Sequence, residues 1–157
     1  MSESQSRSEV IERRAARVLV VDAAGRVLML RGFDPVNPAV RYWFTVGGGL
    51  EPSETTAQAA VRELAEETGL RVGAGELGEP VWNDVTEFPF DGRRYRQEQA
   101  WYLVRVDSWE VDRSGFDEIE RATVDAVSWW APQDFEAATE PYYPPDLPAL
   151  LHRLGVS

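Results

Sequence analysis

The chain has 157 residues, 43% of them hydrophobic and 27% charged, with a formal net charge of −11. That is one domain's worth of chain, with apolar content sufficient for a core. There is no Cys, one His (His152), and all 16 basic residues are Arg. A disulfide framework, a thiol nucleophile and a Cys-ligated zinc site are therefore excluded, and a Ser-His-Asp triad or His-cluster metal site has too little to build on. The acidic balance argues against nucleic acid and anionic membrane as partners, but a small anionic substrate stays open if carboxylates hold a divalent cation. No apolar run approaches the ~20 residues of a membrane span. The first residues lack the basic start and apolar run of a signal peptide, so residues 1–12 are expected to form a flexible tail on a cytoplasmic protein, with a single domain over 13–157.

Along the chain, Ala16–Asp22 and Arg26–Arg31 are β-branched-rich runs around Ala23-Ala24-Gly25, the pattern of a hairpin. Phe33–Ala39, with two prolines and an Asn, is expected to be loop, and Tyr42–Val46 a strand broken by Gly47, Gly48 and Gly49. Thr55 and Gln58 have capping-box spacing, which predicts a helix over 56–68 that stops at Gly69, suited to a left-handed cap. On that helix Ala57, Ala60, Val61, Leu64 and Ala65 gather on one side, and Glu63, Glu66 and Glu67 on the other. Pro80–Phe90 and Arg93–Val106 flank Asp91-Gly92, the signal of a tight hairpin turn. Thr123–Trp129 reads as a strand, Pro132–Ala138 as a short helix, 141–145 as a Pro-stiffened loop and Asp146–Leu154 as a last helix. Strands outnumber helices, which predicts the α+β class, a mixed sheet with hairpins and helices packed against it.

The chemistry concentrates between Gly48 and Leu70. Glu63, Glu66 and Glu67 stand at i, i+3 and i+4, so three carboxylates converge on one helical turn and repel unless a cation joins them. Carboxylate and carbonyl oxygens suit Mg²⁺ or Mn²⁺, ions that usually keep waters and bind substrate phosphates. Glycines before the helix let backbone approach a metal or a phosphate. An acidic helical face can equally be a solvated one, as most charge runs are.

The whole string decides between these. Gly48, five residues, Glu54, seven residues, then Arg62-Glu63-Leu64-Ala65-Glu66-Glu67-Thr68-Gly69-Leu70 resembles the Nudix box at every fixed position. The resemblance implies an αβα sandwich and a Mg²⁺- or Mn²⁺-dependent pyrophosphohydrolase. Its substrate would be a nucleoside diphosphate linked to another moiety (a nucleoside triphosphate, a nucleotide sugar or an ADP-ribose-like compound), with water attacking phosphorus. It further implies Glu66 and Glu67 as metal ligands, Glu63 as a third ligand or the base, a carbonyl ligand near Gly48, Arg62 paired with a box carboxylate, and Glu54 as a structural or outer partner of the metal. Gly69 is sufficiently explained as a helix cap. Relatives often carry the base on a later loop, which brings in Glu98, Glu118 and Glu120, with Glu120 placed most like the family's extra glutamate. The downstream residues that mark subgroups are absent from Val85–Phe88, and the substrate is left open.

For anionic groups on the substrate, Arg31, Arg41 and Arg96 are candidate partners, together with Arg93 and Arg94. Trp43 is a candidate for stacking on a base, as are Phe33, Tyr42 and Trp82. Trp129 and Trp130 are adjacent in a strand and should face opposite sides of the sheet. A homodimer is compatible with the resemblance. The competing reading is a nucleotide-sensing module of the same fold that does not cleave, although an intact trio of Glu63, Glu66 and Glu67 speaks for catalysis.

Overall fold

The computed structural model describes residues 9–156. Six strands make one mixed sheet: β1 (Val10–Val21), β2 (Val27–Asp34), β3 (Asn37–Gly49), β4 (Trp82–Phe90), β5 (Arg93–Arg105) and β6 (Val124–Trp130). Their order across the sheet is β4-β5-β1-β3-β2-β6. The central pair β1–β5 is parallel and the remaining pairs are antiparallel. Among the described residues five helices accompany it: α1 (Thr56–Thr68), α2 (Ala74–Leu77), α3 (Glu118–Thr123), α4 (Pro132–Glu136) and α5 (Leu147–Arg153).

Strand alternation divides the interior in two, because successive side chains point to opposite faces. Ala16, Val18 and Val20 of β1 join Ala59, Ala60 and Leu64 of α1 in one core. Leu19 and Val21 join Phe135 of α4 and Leu147, Leu150 and Leu151 of α5 in the other. The result is helix, sheet, helix, the α+β sandwich expected. Trp129 packs on the first core and Trp130 in the second, as their adjacency requires. No helix among the described residues is long and apolar enough to cross a membrane.

The expected hairpins are present. Asp91 and Gly92 both have positive φ, at 53° and 79°, the pairing a tight two-residue turn demands. At the first turn, Asp22 Oδ1 accepts from the amides of Ala24 (3.0 Å) and Arg26 (2.8 Å).

Three expectations need correction. Residues 10–12, assigned to a tail, are strand, since Val10, Ile11 and Glu12 pair with Arg94, Tyr95 and Arg96 of β5; residues 1–8 lie outside those described. Phe33–Ala39 is not loop throughout: β2 runs to Asp34 and β3 starts at Asn37, around a turn in which Asp34 Oδ1 accepts from the Val36 amide at 3.1 Å. Pro38 is tolerated there because the β1–β3 ladder covers only Val46–Gly49 of β3, so this stretch lies beyond it. The glycine triplet likewise does not break the chain but closes β3, with Gly47, Gly48 and Gly49 opposite Arg17, Ala16 and Ala15. The short α2 and α3 carry too few residues for a periodic pattern and were not anticipated.

Candidate active site

Helix α1 is set by its caps. Thr55 Oγ1 accepts from the Gln58 amide at 3.1 Å while Gln58 Oε1 accepts from the Thr55 amide at 2.9 Å. At the other end Gly69 takes φ 80° and its N–H reaches Ala65 O, as a left-handed cap does. Thr56 Oγ1 lies 2.8 Å from the Tyr102 hydroxyl, which fixes the helix start to β5.

The acidic side of α1 is not a solvated face. Glu63 is 7% exposed and Glu67 only 2%, because that side is pressed against the end of β3. The Gly47 amide donates to Glu67 Oε1 at 2.7 Å. A Cβ on Gly48 would stand 2.6 Å from Glu63 Oε1, so glycine there makes room for the carboxylate. Arg62 gathers the loop before the helix: Nε and Nη2 donate to Glu54 Oε2 and Oε1, both at 2.8 Å, and Nη2 also reaches Gly49 O at 3.0 Å. Its Nη1 donates to Glu63 Oε1 at 2.9 Å and Glu66 Oε2 at 3.4 Å. The hydrogen bonds that Arg62 donates to Glu54 raise the Arg62 pKa, and the same contacts lower that of Glu54.

A fourth carboxylate arrives from α3. Gly115 lies so close to α1 that a Cβ would meet Glu66 O at 2.7 Å, and Asp117 then caps α3 by accepting from the Glu120 amide at 2.8 Å. This brings Glu120 over the acidic turn. Ligand oxygens of Glu63, Glu66 and Glu120 all lie within 4.8 Å of one another, and the Glu120 carboxyl lies close enough to Glu67 to raise its pKa. Of the later-loop candidates, Glu120 joins the cluster, whereas Glu98 and Glu118 are exposed and outside it.

The electrostatics follow from burial and crowding. Burial, then the neighbouring Glu120, pushes the Glu63 carboxyl up to about 7 despite Arg62. Burial and the contact with Glu120 push Glu67 well above the carboxylate range. Burial also raises Glu66. Among the described residues the one arginine in ion-pair contact with these four carboxylates is Arg62, through Glu63 and Glu66, which leaves an excess of negative charge that a cation would relieve. The donors are all oxygen, the set that suits Mg²⁺ or Mn²⁺, so the residues fit such an ion.

The candidate substrate residues lie elsewhere and are already engaged. Arg31 pairs with Asp125 (2.8 Å) and Glu140 (3.4 Å), Arg41 with Asp125 (2.7 Å), and Arg96 with Glu12 (3.4 Å). Trp43 packs on Trp130 in the second core and donates Nε1 to Glu140 at 3.0 Å.

Comparison with known proteins completes this geometry. The family model of the NUDIX domain matches residues 11–152. The chain belongs to the NUDIX family. It is similar to an RNA pyrophosphohydrolase of Erythrobacter litoralis, 33% identical over 119 residues that make up 71% of each chain. It is also similar to the CTP pyrophosphohydrolase of Escherichia coli, 29% identical over 132 residues, 83% of this chain and 84% of that one. Among solved structures, the E. coli dihydroneopterin triphosphate pyrophosphohydrolase superposes with a TM-score of 0.63 at 22% identity, covering 92% of this chain and 97% of that one, and shows the shared fold. This NUDIX chain is accordingly a hydrolase of a family that cleaves pyrophosphate bonds and generally uses a divalent metal.

Proposed function

We propose that this NUDIX hydrolase is a Mg²⁺- or Mn²⁺-dependent pyrophosphohydrolase acting on a nucleoside diphosphate linked to another moiety, with a nucleoside 5′-triphosphate as the first candidate. The observation that carries this reading is the convergence of Glu63, Glu66 and Glu120 within 4.8 Å, with Glu67 in contact behind them. Similar proteins named for pyrophosphohydrolysis of CTP and of RNA support the triphosphate. The excess charge of −11 favours the free nucleotide over a polyanionic chain.

In this mechanism Glu63, Glu66 and Glu67, with a backbone carbonyl near Gly48, would hold the cation. When bound, Mg²⁺ or Mn²⁺ supplies the positive charge that a phosphate-rich reaction centre requires. Arg62 holds Glu63 and Glu66 in position by its hydrogen bonds and ties them to Glu54 and Gly49. Glu120, facing the turn from the opposite element, accepts the proton of the attacking water, with Glu63 the alternative base. As the new P–O bond forms, the anhydride P–O bond breaks and its electron pair leaves with the departing phosphate.

The relatives named for RNA favour a second reading, hydrolysis at a triphosphorylated 5′ RNA end. A panel of nucleoside triphosphates, nucleotide sugars, ADP-ribose and 5′-triphosphorylated oligoribonucleotides separates the two. Assayed with Mg²⁺, Mn²⁺ or chelator, wild type should release pyrophosphate from a nucleoside triphosphate only with metal. Preferred cleavage of the oligonucleotide would replace the first reading by the second. Nucleotide binding without cleavage of any compound would overturn both in favour of a sensor.

A further inference from the structure

The acidic turn lies on one face of the end of β3, and the opposite face is basic. β3 alternates, so Gly48 points to α1 and Gly47 and Gly49 point the other way. A Cβ on Gly49 would meet the Arg13 guanidinium, at 2.5 Å from Nε, and one on Gly47 would meet Cα and Cδ of Arg17, at 2.8 and 2.9 Å. Only the backbone of the triplet separates the two arginines from Glu63 and Glu67. The β1–β3 ladder ends at Ala15 and Gly49 while the β1–β5 ladder runs on to Val10, so Arg13 lies where β3 no longer covers the edge of β1, across Gly49 from the acidic turn.

These arginines differ from the others of the chain near the site. Arg13 is half-buried against the ring of Tyr95, 5.7 Å from its centroid, and makes no hydrogen bond or ion pair among the described residues. Arg17 donates only to Gln99 Oε1 (3.2 Å) and Thr45 O (3.3 Å). Neither has a carboxylate partner within ion-pair distance among the described residues, whereas Arg31, Arg41, Arg62 and Arg96 each do. A partly buried guanidinium without an anion is costly unless a ligand supplies one. Burial lowers the pKa of both, and the carboxylates across the triplet, Glu63 for Arg13 and Glu67 with Glu63 for Arg17, offset it only in part.

A chain of amides preserves this imbalance. Asp84 Oδ1 accepts from Trp101 Nε1 (2.8 Å) and Gln99 Nε2 (2.9 Å). That turns Gln99 Oε1 toward Arg17 and toward Gln97 Nε2 (2.7 Å). Arg17 is thus oriented by neutral oxygens, while Glu67, Glu63 and Asp84 act on it through space without touching it. The direction imposed on Gln97 leaves its Oε1 as the buried side-chain atom without a partner among the described residues. Gln97 stands in register with Arg13. The unpaired Arg13 guanidinium, half-buried, and the unpaired Gln97 oxygen, fully buried, therefore lie on facing residues of β1 and β5, and what Arg13 lacks is an anionic acceptor such as a phosphate oxygen.

We infer that Arg13, backed by Arg17, binds phosphate oxygens of the substrate just beyond the end of β3, so that a diphosphate passing that end reaches from the carboxylate cluster on one face to Arg13 on the other. This rests on the pyrophosphohydrolase reading and adds to it the cationic partners that the paired Arg31, Arg41 and Arg96 do not provide. Arginine fits the role through its fork of N–H donors, which lysine lacks.

The test uses imidodiphosphate as a non-hydrolysable probe, titrated calorimetrically with Mg²⁺ and with chelator, alongside nucleoside triphosphate hydrolysis. Arg13→Gln should weaken probe binding and raise KM by at least about tenfold, with Arg13→Lys in between. Arg153→Gln, an exposed change of equal charge in α5, should stay within about twofold of wild type, a surface substitution far from the site. Thermal melts on each variant establish folding. Unchanged probe binding by folded Arg13→Gln overturns the inference, as does absence of probe binding by wild type. Absence of hydrolysis by wild type overturns the pyrophosphohydrolase reading instead, and the probe titration then decides Arg13 on its own.

Discussion

Two clusters of charge in this protein invite comparison. On β2, β3 and β6, Arg31 and Arg41 meet Asp125 and Glu140, two cations with two anions in contact at 2.7 to 3.4 Å. At the turn of α1, Arg62 touches Glu63 and Glu66 of the four carboxylates Glu63, Glu66, Glu67 and Glu120, and is itself committed to Glu54. The first cluster is half-exposed and balanced, and its pKa shifts run in the direction of mutual satisfaction, with Asp125 lowered chiefly by Arg31. The second is largely buried and unbalanced, and its carboxyls are raised. A charge group that satisfies itself holds a structure together, while one left in excess asks for something from outside. That distinction separates Arg31 and Arg41 from Arg13 and Arg17 as well.

The comparison breaks most sharply at Glu67. Glu67→Gln should keep the fold, because the amide oxygen can still accept from Gly47, yet turnover should fall by at least about a hundredfold. Turnover equal to wild type in a discontinuous phosphate assay would remove Glu67 from the site. The triplet offers the next largest effects, and they should differ in kind. At Gly47, φ is +140° and a Cβ would collide with the backbone oxygen of Ala16, so Gly47→Ala should destabilise by about 2–4 kcal/mol in denaturant titration. Gly48→Ala meets only the Glu63 carboxylate, and should lower kcat about tenfold or more with a smaller change in melting temperature, as a displaced catalytic group does. Equal losses of stability in the two variants would contradict the picture of a glycine that makes room for a carboxylate.

A pH titration sharpens the contrast without mutation. The Glu63 carboxyl is raised from 4.5 to about 7, so the folded chain binds more protons than the unfolded one across that interval. Its contribution to stability is complete below the unfolded value and is lost as pH rises through 7. The metal-free melting temperature should therefore fall between pH 5 and pH 8, and Mg²⁺ should raise it more at pH 8 than at pH 5. A flat metal-free profile, or no effect of millimolar Mg²⁺ at pH 8, would show that the carboxylates are not in conflict. Asp125→Asn marks the small end of the scale: as a half-exposed partner of two arginines it should cost under about 1 kcal/mol in denaturant titration.

Much of this was legible in the residues. The capping box at Thr55, the stop at Gly69 and the Asp91-Gly92 turn are local chemistry, and local chemistry survives folding. The box from Gly48 to Leu70 named the acidic turn, and the order of elements put Glu120 ahead of Glu98 and Glu118. What was not legible depends on contacts distant in sequence. The acidic side of α1 looks solvated on a helical wheel, but the end of β3 buries Glu63 and Glu67. Arg31 and Arg41 look available for phosphate until Asp125, more than eighty residues on, is placed beside them. Arg13 drew no reading from the sequence, although Arg13 and Arg17 share strand parity, and so do Gln97 and Gln99. Polar residues at a spacing of two or four within strands were the signal available.

The parallel pairing of β1 with β5 has a consequence for how the chain comes into being. The strand made first, Val10–Val21, sits at the middle of the sheet, flanked by β3 on one side and β5 on the other. A chain emerging from the ribosome can close β1, β2 and β3 early, including the glycine triplet. It then carries a bare, partly apolar strand edge until Arg105 has been synthesised and cleared the exit tunnel. Non-local strand pairing of this kind is slow to form, so the nascent protein is most vulnerable to aggregation while the residues between Gly49 and Arg105 are being translated.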